Sequence, residues 1–326
     1  MTADAIRIRP ATDEDRETVT RVFDTANPAW ATSAAQYRRG PRPEPTNGIC
    51  IVAEHAGRVV GAARGNEALE GLLPRPGTFS ARVVVDPCAA AQGVGSRLWA
   101  TLRDWLGTQP HCKDVFSWAD RDDERTVTIA ARWHFVRRPG SVEDPADLNG
   151  PEPWAWSYQL KLDLDRTEPP TAGPPGVTIS PLADVLDDRP LVASLHEAHE
   201  ECRADVPAWE PYEPKPLQEF IDAQQQRLAD GGFGFIAHHN GEALAGTFAE
   251  RAAFVPMVHN DFTMVRRSAR GQKLALTVKR CLIEDATRAN IQQITTEVRT
   301  DNKPMLAVNA TLGFRRIAMR HLSLEL

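Results

Sequence analysis

The same order of predicted elements occurs twice along this chain of 326 residues. Each half begins with a short strand and helix, continues with a β-hairpin, and then has a strand that enters a loop and an amphipathic helix. A further strand, a helix and an alternating strand close each half. Val85 and Val265 hold matching places 180 residues apart, and Phe135 and Phe314 lie 179 apart. So constant an offset indicates an internal duplication.

A segment rich in proline and glycine separates the two halves. It covers residues 165–176 and has no hydrophobic periodicity, which is typical of an interdomain linker. We therefore predict a first domain over residues 1–164 and a second over 177–326, each closed by its own alternating strand ("WAWSYQLKLDL" and "AMRHLSLEL"). The length agrees, because a single core seldom grows beyond ~250–300 residues.

Composition excludes several classes of protein. The formal net charge of −6 argues against a general nucleic-acid binder. Five scattered cysteines without a CxxC pair suit reduced thiols and give no zinc pattern, so we expect no metal. No apolar run approaches the ~20 residues that span a bilayer, and the first residues lack the apolar segment of a secretion signal. We expect a cytoplasmic protein that binds neither membrane nor nucleic acid.

The loop "AQGVGSRLW", residues 91–99, follows an apolar strand and leads into a helix. Glycines at such a turn let the backbone approach a phosphate, and the free N–H groups of the helix start bind the anion. A dinucleotide-binding loop would need glycine where Leu98 stands, and a Walker A loop would need Ser or Thr after Lys273, where Leu274 stands. A plain tight turn stays open as the alternative.

These loops and the stretch "TDNKPMLAVNATLGF", residues 300–314, carry a resemblance to the GNAT acyltransferase superfamily. The resemblance covers nearly the whole chain as two tandem copies. It implies an α/β (α+β) fold in which each domain is a mixed, mostly antiparallel sheet flanked by helices. Each copy departs once from the family's Gln/Arg-x-x-Gly-x-Gly/Ala loop: Ala90 replaces the leading residue in the first, and Lys273 replaces the middle glycine in the second. The missing glycine in the second loop is tolerable if φ stays negative at that position.

The resemblance implies acetyl-CoA as the cofactor, with its pyrophosphate on the loops and its pantetheine arm along the preceding strand. In the second copy these positions are Thr263, Met264, Val265, Arg270, Gly271, Gln272, Lys273, Leu274, Ala275, Asn302 and Asn309. In the first copy they are Val83, Val84, Val85, Gln92, Gly93, Val94, Gly95 and Ser96.

Acyl transfer to an amine needs a group that removes the amine proton. The candidates on or beside the central strands are Glu250, Asp261 and Glu297, with His259 near them and Glu67 in the first copy. Taken singly, each of these side chains fits a solvated or ion-paired surface residue better than a catalytic one.

The usual acid of the family is a tyrosine four residues before the glycine of "LGF". Asn309 stands there, and Ala130 stands at the matching place in the first copy. The acceptor region implied by the resemblance is "ADVPAWEPYEPKP", where Trp209, Tyr212 and Glu213, with Asp205 and Glu210, would hold a cation by charge and ring face. An irregular surface loop is the alternative for this segment.

The resemblance therefore implies an N-acetyltransferase that transfers an acetyl group from acetyl-CoA to the amine of a small molecule, acting as a monomer or homodimer. We expect the second copy to be catalytic, because its last helix keeps the asparagines that the first copy lacks. The alternative is a catalytically silent acyl-CoA-binding or scaffold protein, which the missing tyrosines favour.

Overall fold

The computed structural model describes residues 6–39, 48–67, 77–120, 123–137, 157–164, 174–206, 213–317 and 319–325. The chain divides into two compact units. The first comprises Met1–Thr32, Gly40–Ala155 and Ile317–Leu326, and the second comprises Ser33–Arg39 and Trp156–Arg316.

The first unit is built on a seven-stranded sheet. Its strands are β1 (Arg7–Pro10), β2 (Gly48–His55), β3 (Arg58–Glu67), β4 (Thr78–Val85), β5 (Asp114–Asp120), β6 (Val136–Arg137) and β14 (Met319–Glu325). The order across the sheet is β1-β2-β3-β4-β5-β14-β6, in which β4 and β5 are parallel and the other described pairs antiparallel. Its helices are α1 (Arg16–Ala26), α3 (Val94–Gly107) and α4 (Glu124–Arg132).

The second unit repeats this plan. Its strands are β7 (Ser157–Asp163), β8 (Thr178–Pro181), β9 (Phe233–His239), β10 (Glu242–Arg251), β11 (Met257–Val265), β12 (Gln293–Arg299) and β13 (Arg315–Arg316), in the order β13-β7-β12-β11-β10-β9-β8. Its helices are α2 (Ala34–Arg39), α5 (Leu182–Leu186), α6 (Arg189–Ala204), α7 (Leu217–Ala229), α8 (Leu274–Arg288) and α9 (Lys303–Thr311). The predicted fold class, two mixed and mostly antiparallel sheets flanked by helices, is confirmed.

Each unit buries one apolar face of the helix that follows its glycine-containing loop. In α3, Leu98, Leu102 and Leu106 are each 0% exposed and pack with Phe79 of β4. Their spacing of four residues places them on one face of the helix. Val278 of α8 is likewise fully buried. This packing fixes the start of each helix against the edge of the strand before it.

The strands that close the two halves are exchanged between the units. β7 pairs with β12 and β13 of the second unit, and β14 pairs with β5 and β6 of the first. The chain segments that make up the two units therefore differ from the predicted domain bounds of 1–164 and 177–326. Alternation of apolar residues identifies a half-buried strand but does not choose between two similar sheets, and duplicated sheets offer similar edges to both strands.

Helix α2 also belongs to the second unit, although it comes early in the chain. Ser33 forms an isolated antiparallel bridge with Ala252, which directly follows β10. The ring of Tyr37 meets the ring of Phe254 edge to face, with centroids 4.9 Å apart. This helix becomes one wall of the pocket described below.

Candidate active site

The second unit has a gap between its two parallel strands. β11 and β12 pair only over Met257–Asn260 and Gln293–Thr296, and among the described residues they form no further pairs. Beyond that point β11 stays paired with β10 on its other edge, and β12 stays paired with β7. Alternation along an antiparallel pair directs the backbone groups of Thr263 and Val265 toward the gap, where a bound chain can pair with those that have no partner. The Val265 carbonyl already accepts from Cys202 Sγ at 3.3 Å.

β4 and β5 of the first unit diverge in the same way. They pair only over Thr78–Ser80 and Asp114–Phe116, so the edge of Val83, Val84 and Val85 faces the corresponding gap. The side chains of Val84 and Met264 are buried in their cores, and their backbone groups pair with Ala62 of β3 and Gly246 of β10. The backbone groups that face the gaps therefore belong to the residues on either side of them. Both strands predicted to hold the pantetheine arm thus have a free edge.

The helix that follows each of these strands begins without a side-chain cap. Gly93 precedes α3 and Lys273 precedes α8, and neither helix start accepts a capping side chain. The first N–H groups of a helix have no partner within the helix, so these ends present free donors and the positive end of the dipole. Val94 and Leu274 point their side chains into the cores and contribute backbone N–H groups only. Both ends suit a phosphate.

The condition under which a lysine would replace the loop glycine without strain, a negative φ, is not met at Lys273. Its φ is +60°, and Gly93 at the matching place has +79°. A second left-handed position lies two residues earlier, where Ala91 has φ +63° and Gly271 has +83°. Each loop thus has two left-handed positions, and glycine occupies only one of them: Gly93 in the first loop and Gly271 in the second. The residue at the other position, Ala91 or Lys273, carries about 1 kcal/mol of strain.

Arg270 is held beside the second loop by other residues. Its Nη2 lies 2.6 Å from Asp205 Oδ2, and its Nε donates to the carbonyl of Val265 at 3.3 Å. Arg267 pairs with the same carboxylate, and hydrogen bonds from Arg267 and then Arg270 lower the pKa of Asp205 to about 2. Asp205 therefore positions cations at the phosphate loop, and it is not free to hold a cationic acceptor as the sequence suggested.

The two asparagines of helix α9 have different environments. Asn302 is the N-cap of α9, and its side chain accepts a hydrogen bond from the Met305 N–H at 3.2 Å. Asn309 is 0% exposed, and neither its Oδ1 nor its Nδ2 has a hydrogen-bond partner among the described residues. Leaving both amide atoms of a buried side chain unpaired costs free energy, so Asn309 is the residue that a bound group would satisfy.

A β-bulge lies in β11 beside the gap. Ala249 pairs with Asn260 and Phe248 pairs with Phe262, so Asp261 is the extra residue on β11. β3 and β4 pair without such a shift, which means that the first unit lacks the bulge. Bulges disrupt the hydrogen-bond ladder and re-aim side chains, and they are common next to active sites.

The bulge brings the acidic candidates of the second unit together around His259. Glu250 lies directly across from His259 on β10, and the carboxylates of Asp261, Glu250 and Glu297 all act electrostatically on its ring. The His259 Nδ1 lies 3.0 Å from Thr295 Oγ1. Burial nevertheless lowers the pKa of His259, so the ring is neutral at pH 7.

The three carboxylates differ in their partners. Asp261 forms two hydrogen bonds with Arg227, at 3.0 and 2.9 Å, while burial raises its pKa against the effect of that arginine. Glu297 is exposed on β12. Glu250 is half-buried and has no hydrogen-bond or ion-pair partner among the described residues. Of the two candidates on β10 and β11, Glu250 is therefore the one that no arginine holds.

Glu250 lines a pocket of about 310 Å³ in the second unit. The other lining residues come from α2, from α7 and its end, and from the end of β10: Ala35, Arg38, Ala223, Gln226, Arg227, Asp230 and Arg251. Of the predicted acceptor residues, Trp209 and Tyr212, like Glu210, lie outside the described residues, and Glu213 is exposed. No local pattern in the sequence indicates this pocket, because its walls come from segments that are far apart in the chain.

Sequence reasoning also missed a buried lysine. Lys279 of α8 is 1% exposed, donates to Asn260 Oδ1, and lies over the Phe314 ring at 5.0 Å. Asn260 donates in turn to Thr247 Oγ1 at 3.1 Å and to the Phe248 carbonyl at 2.8 Å. This polar cluster lies on the face of β11 that packs against α8.

The first unit fills the same place with aromatic rings. Trp99, which is 180 residues before Lys279, stacks on Trp133 with centroids 5.3 Å apart and packs against Phe135 at the same distance. A Cβ at Gly95 would lie 3.9 Å from Trp133, so this ring reaches the first turn of α3. In the sequence, the buried lysine shows only as Lys279 at the position where the first copy has Trp99.

Two further findings concern the described residues. No helix among them is long and apolar enough to cross a membrane. No group of three or more His, Cys, Asp or Glu residues in this part of the chain is arranged to hold a metal ion.

Comparison with known proteins identifies the family. The model of the acetyltransferase (GNAT) family matches residues 16–135 and 192–314, which together make up more than half of the chain. No curated protein sequence matches significantly. A tandem GNAT protein from the clavulanic acid biosynthesis pathway, solved without AcCoA, is similar at 22% identity and TM-score 0.52, covering 98% of both chains. A GNAT-family acetyltransferase from Colwellia psychrerythraea is similar at 12% identity and TM-score 0.50, covering 98% of this chain and 99% of its own. The protein belongs to the GNAT acetyltransferase family and carries its fold twice.

Proposed function

We propose that the protein transfers an acetyl group from acetyl-CoA to the amine of a small molecule, and that the second unit is the catalytic one. The observation that carries the proposal is the arrangement of β11. This strand leaves β12 after Asn260, carries the bulge at Asp261, and faces the unpaired carboxylate of Glu250 on β10. The first unit has the gap without the bulge, and aromatic rings stand where the polar cluster lies.

The residues present fit acetyl-CoA. The uncapped start of α8 and Arg270 suit its pyrophosphate, the free edge of Thr263–Val265 suits the amide groups of pantetheine, and Asn309 has two unpaired buried atoms for a polar group beyond it. Acetyl-CoA supplies the activated thioester.

Glu250 is the proposed general base. Its carboxylate takes one proton from the ammonium, either directly or through water, and the freed amine attacks the acetyl carbon to form a tetrahedral adduct. The nitrogen of the adduct loses its second proton to solvent, and the carbon–sulfur bond breaks as the adduct collapses to the amide. The thiolate that leaves takes its proton from solvent, since Asn309 has no acidic proton to supply.

The test compares Glu250→Gln with wild type in an assay of thiol release from acetyl-CoA with a panel of amines. We expect kcat/KM to fall by about 100-fold or more, as is typical when a general base is lost. The affinity for acetyl-CoA, measured by calorimetry, should change less than twofold because Glu250 lies on the acceptor side. Glu219→Gln removes an exposed carboxylate from α7 and serves as the matched control.

Two results would contradict the proposal in different ways. Retention of more than a third of the activity in Glu250→Gln would exclude this residue as the base. Binding of acetyl-CoA without thiol release for any amine would favour the silent acyl-CoA-binding protein instead.

A further inference from the structure

The pocket beside Glu250 contains five charged side chains. Arg38 comes from α2, Arg227 and Asp230 come from α7 and the turn after it, and Glu250 and Arg251 end β10. In a partly enclosed space an unpaired charge costs free energy, so opposite charges pair with each other there. A charged group without a partner is available to a ligand. Which of them remain unpaired therefore indicates what the pocket binds.

Three of the five are already paired. Arg38 holds the carboxylate of Asp230 with both terminal nitrogens, one of them at 2.5 Å, and Gln226 donates to the same carboxylate at 3.3 Å. Arg227 holds Asp261 through two hydrogen bonds. These pairs make the walls close to neutral and rigid.

The other two, Glu250 and Arg251, have no hydrogen-bond or ion-pair partner in the described ranges. The stem of Arg251 passes over Gly231, where a Cβ would come within 3.1 Å of Arg251 Cδ. Gly231 also has φ +75°, a conformation that favours glycine, and the missing side chain leaves space for the stem of Arg251. Two residues that line the pocket thus carry a charged group without a partner among the described residues, one a carboxylate and one a guanidinium.

We propose that the acceptor carries an anionic carboxylate as well as its amine, and is an amino acid or a short peptide. The proposal rests on the proposed function only in calling the ligand an acceptor. The amine faces Glu250, and the carboxylate faces Arg251, whose planar fork suits a carboxylate better than any other common group. A volume of about 310 Å³ is at the small end of ligand pockets and fits a ligand of this size.

The same charges select against other amines. A polyamine would bring a second cation toward Arg251, and like charges held close together repel. A neutral amide would lose the charge-assisted hydrogen bonds to the guanidinium, which are about twice as strong as neutral ones.

The test measures binding apart from turnover. Calorimetry in the presence of CoA compares α-, β- and γ-amino acids and dipeptides with the amide of each, and with spermidine. We expect at least one acid to bind about tenfold more tightly than its amide, and spermidine to bind more weakly than that acid. Arg251→Gln should remove the preference, and Arg251→Lys should keep part of it. Arg288→Gln, which changes an exposed arginine of α8, is the matched control.

Each outcome has a defined meaning. If no acid binds, if amides or spermidine bind better, or if Arg251→Gln weakens acid and amide equally, the inference is overturned. If an acid binds through Arg251 but releases no thiol from acetyl-CoA, the inference stands and the proposed function fails. Circular dichroism of Arg251→Gln and Arg251→Lys shows whether each variant is folded before its binding is compared.

Discussion

Replacement of the buried Lys279 by methionine should stabilise the protein at neutral pH. The amino group of Lys279 has no carboxylate partner among the described residues, and its contacts are Asn260 Oδ1 and the Phe314 ring. Burial lowers the pKa of Lys279 from 10.5 to about 7, because the charged form loses its hydration in the folded protein. Methionine has a similar length and carries no charge.

The sign of the effect follows from proton binding. The unfolded lysine keeps its proton up to its ordinary pKa, whereas the folded one releases it near pH 7. Between these values the unfolded state binds more protons, so the stability of the wild type rises with pH. Each pH unit between the two pKa values changes the free energy of unfolding by about 1.4 kcal/mol. The charged lysine therefore destabilises the folded state by on the order of 5 kcal/mol at or below pH 7.

Methionine removes this cost but also removes a donor from Asn260 Oδ1. That oxygen keeps one bond from Thr263 Oγ1 at 3.2 Å, and the loss of the other costs about 1–3 kcal/mol. The net expectation for Lys279→Met is a gain of about 2–4 kcal/mol at pH 7, which reaches zero between about pH 8.5 and pH 10. Above pH 10.5 the wild-type lysine is neutral in both states, and the variant should be less stable by about 1–3 kcal/mol.

Urea unfolding at pH 7, 8, 9 and 10 measures this difference. The gain should shrink by about 1.4 kcal/mol for each pH unit. Lys215→Met, at an exposed lysine that pairs with Glu219, serves as the control and should change stability by less than about 0.5 kcal/mol at any pH. A variant that is less stable than wild type at pH 7, or a difference that does not depend on pH, would refute the reasoning.

The two phosphate loops allow two further predictions. Lys273→Gly should raise the free energy of unfolding by about 1 kcal/mol, because glycine adopts φ +60° without strain. Lys273→Ala keeps the strain and should not raise it. Thermal unfolding of the two variants measures the difference. Arg270→Ala should weaken acetyl-CoA binding by about tenfold, since a charge-assisted contact to phosphate is lost, whereas Gly93→Val at φ +79° should lower stability by about 1–2 kcal/mol and leave that affinity unchanged. Calorimetry that finds the reverse would assign the working site to the first unit.

The amino-acid sequence by itself determined the repeated plan and the main secondary elements. Periodic apolar positions such as Leu98 and Leu102 predict a helix that packs on a sheet, and Gly93 and Gly271 indicate the turns that precede the two helices. These features depend on residues close together in the chain, so local patterns are sufficient to find them.

The tertiary structure alone decided the rest. The alternating patterns of β7 and β14 do not state which sheet each strand joins, and the exchange follows from hydrogen bonds between distant segments. The bulge at Asp261 is visible only against β10, and the pairing of Asp261 with Arg227 leaves Glu250 as the free carboxylate. Charges that look alike in a sequence are separated into paired and unpaired groups only when the fold brings their partners within a few ångströms.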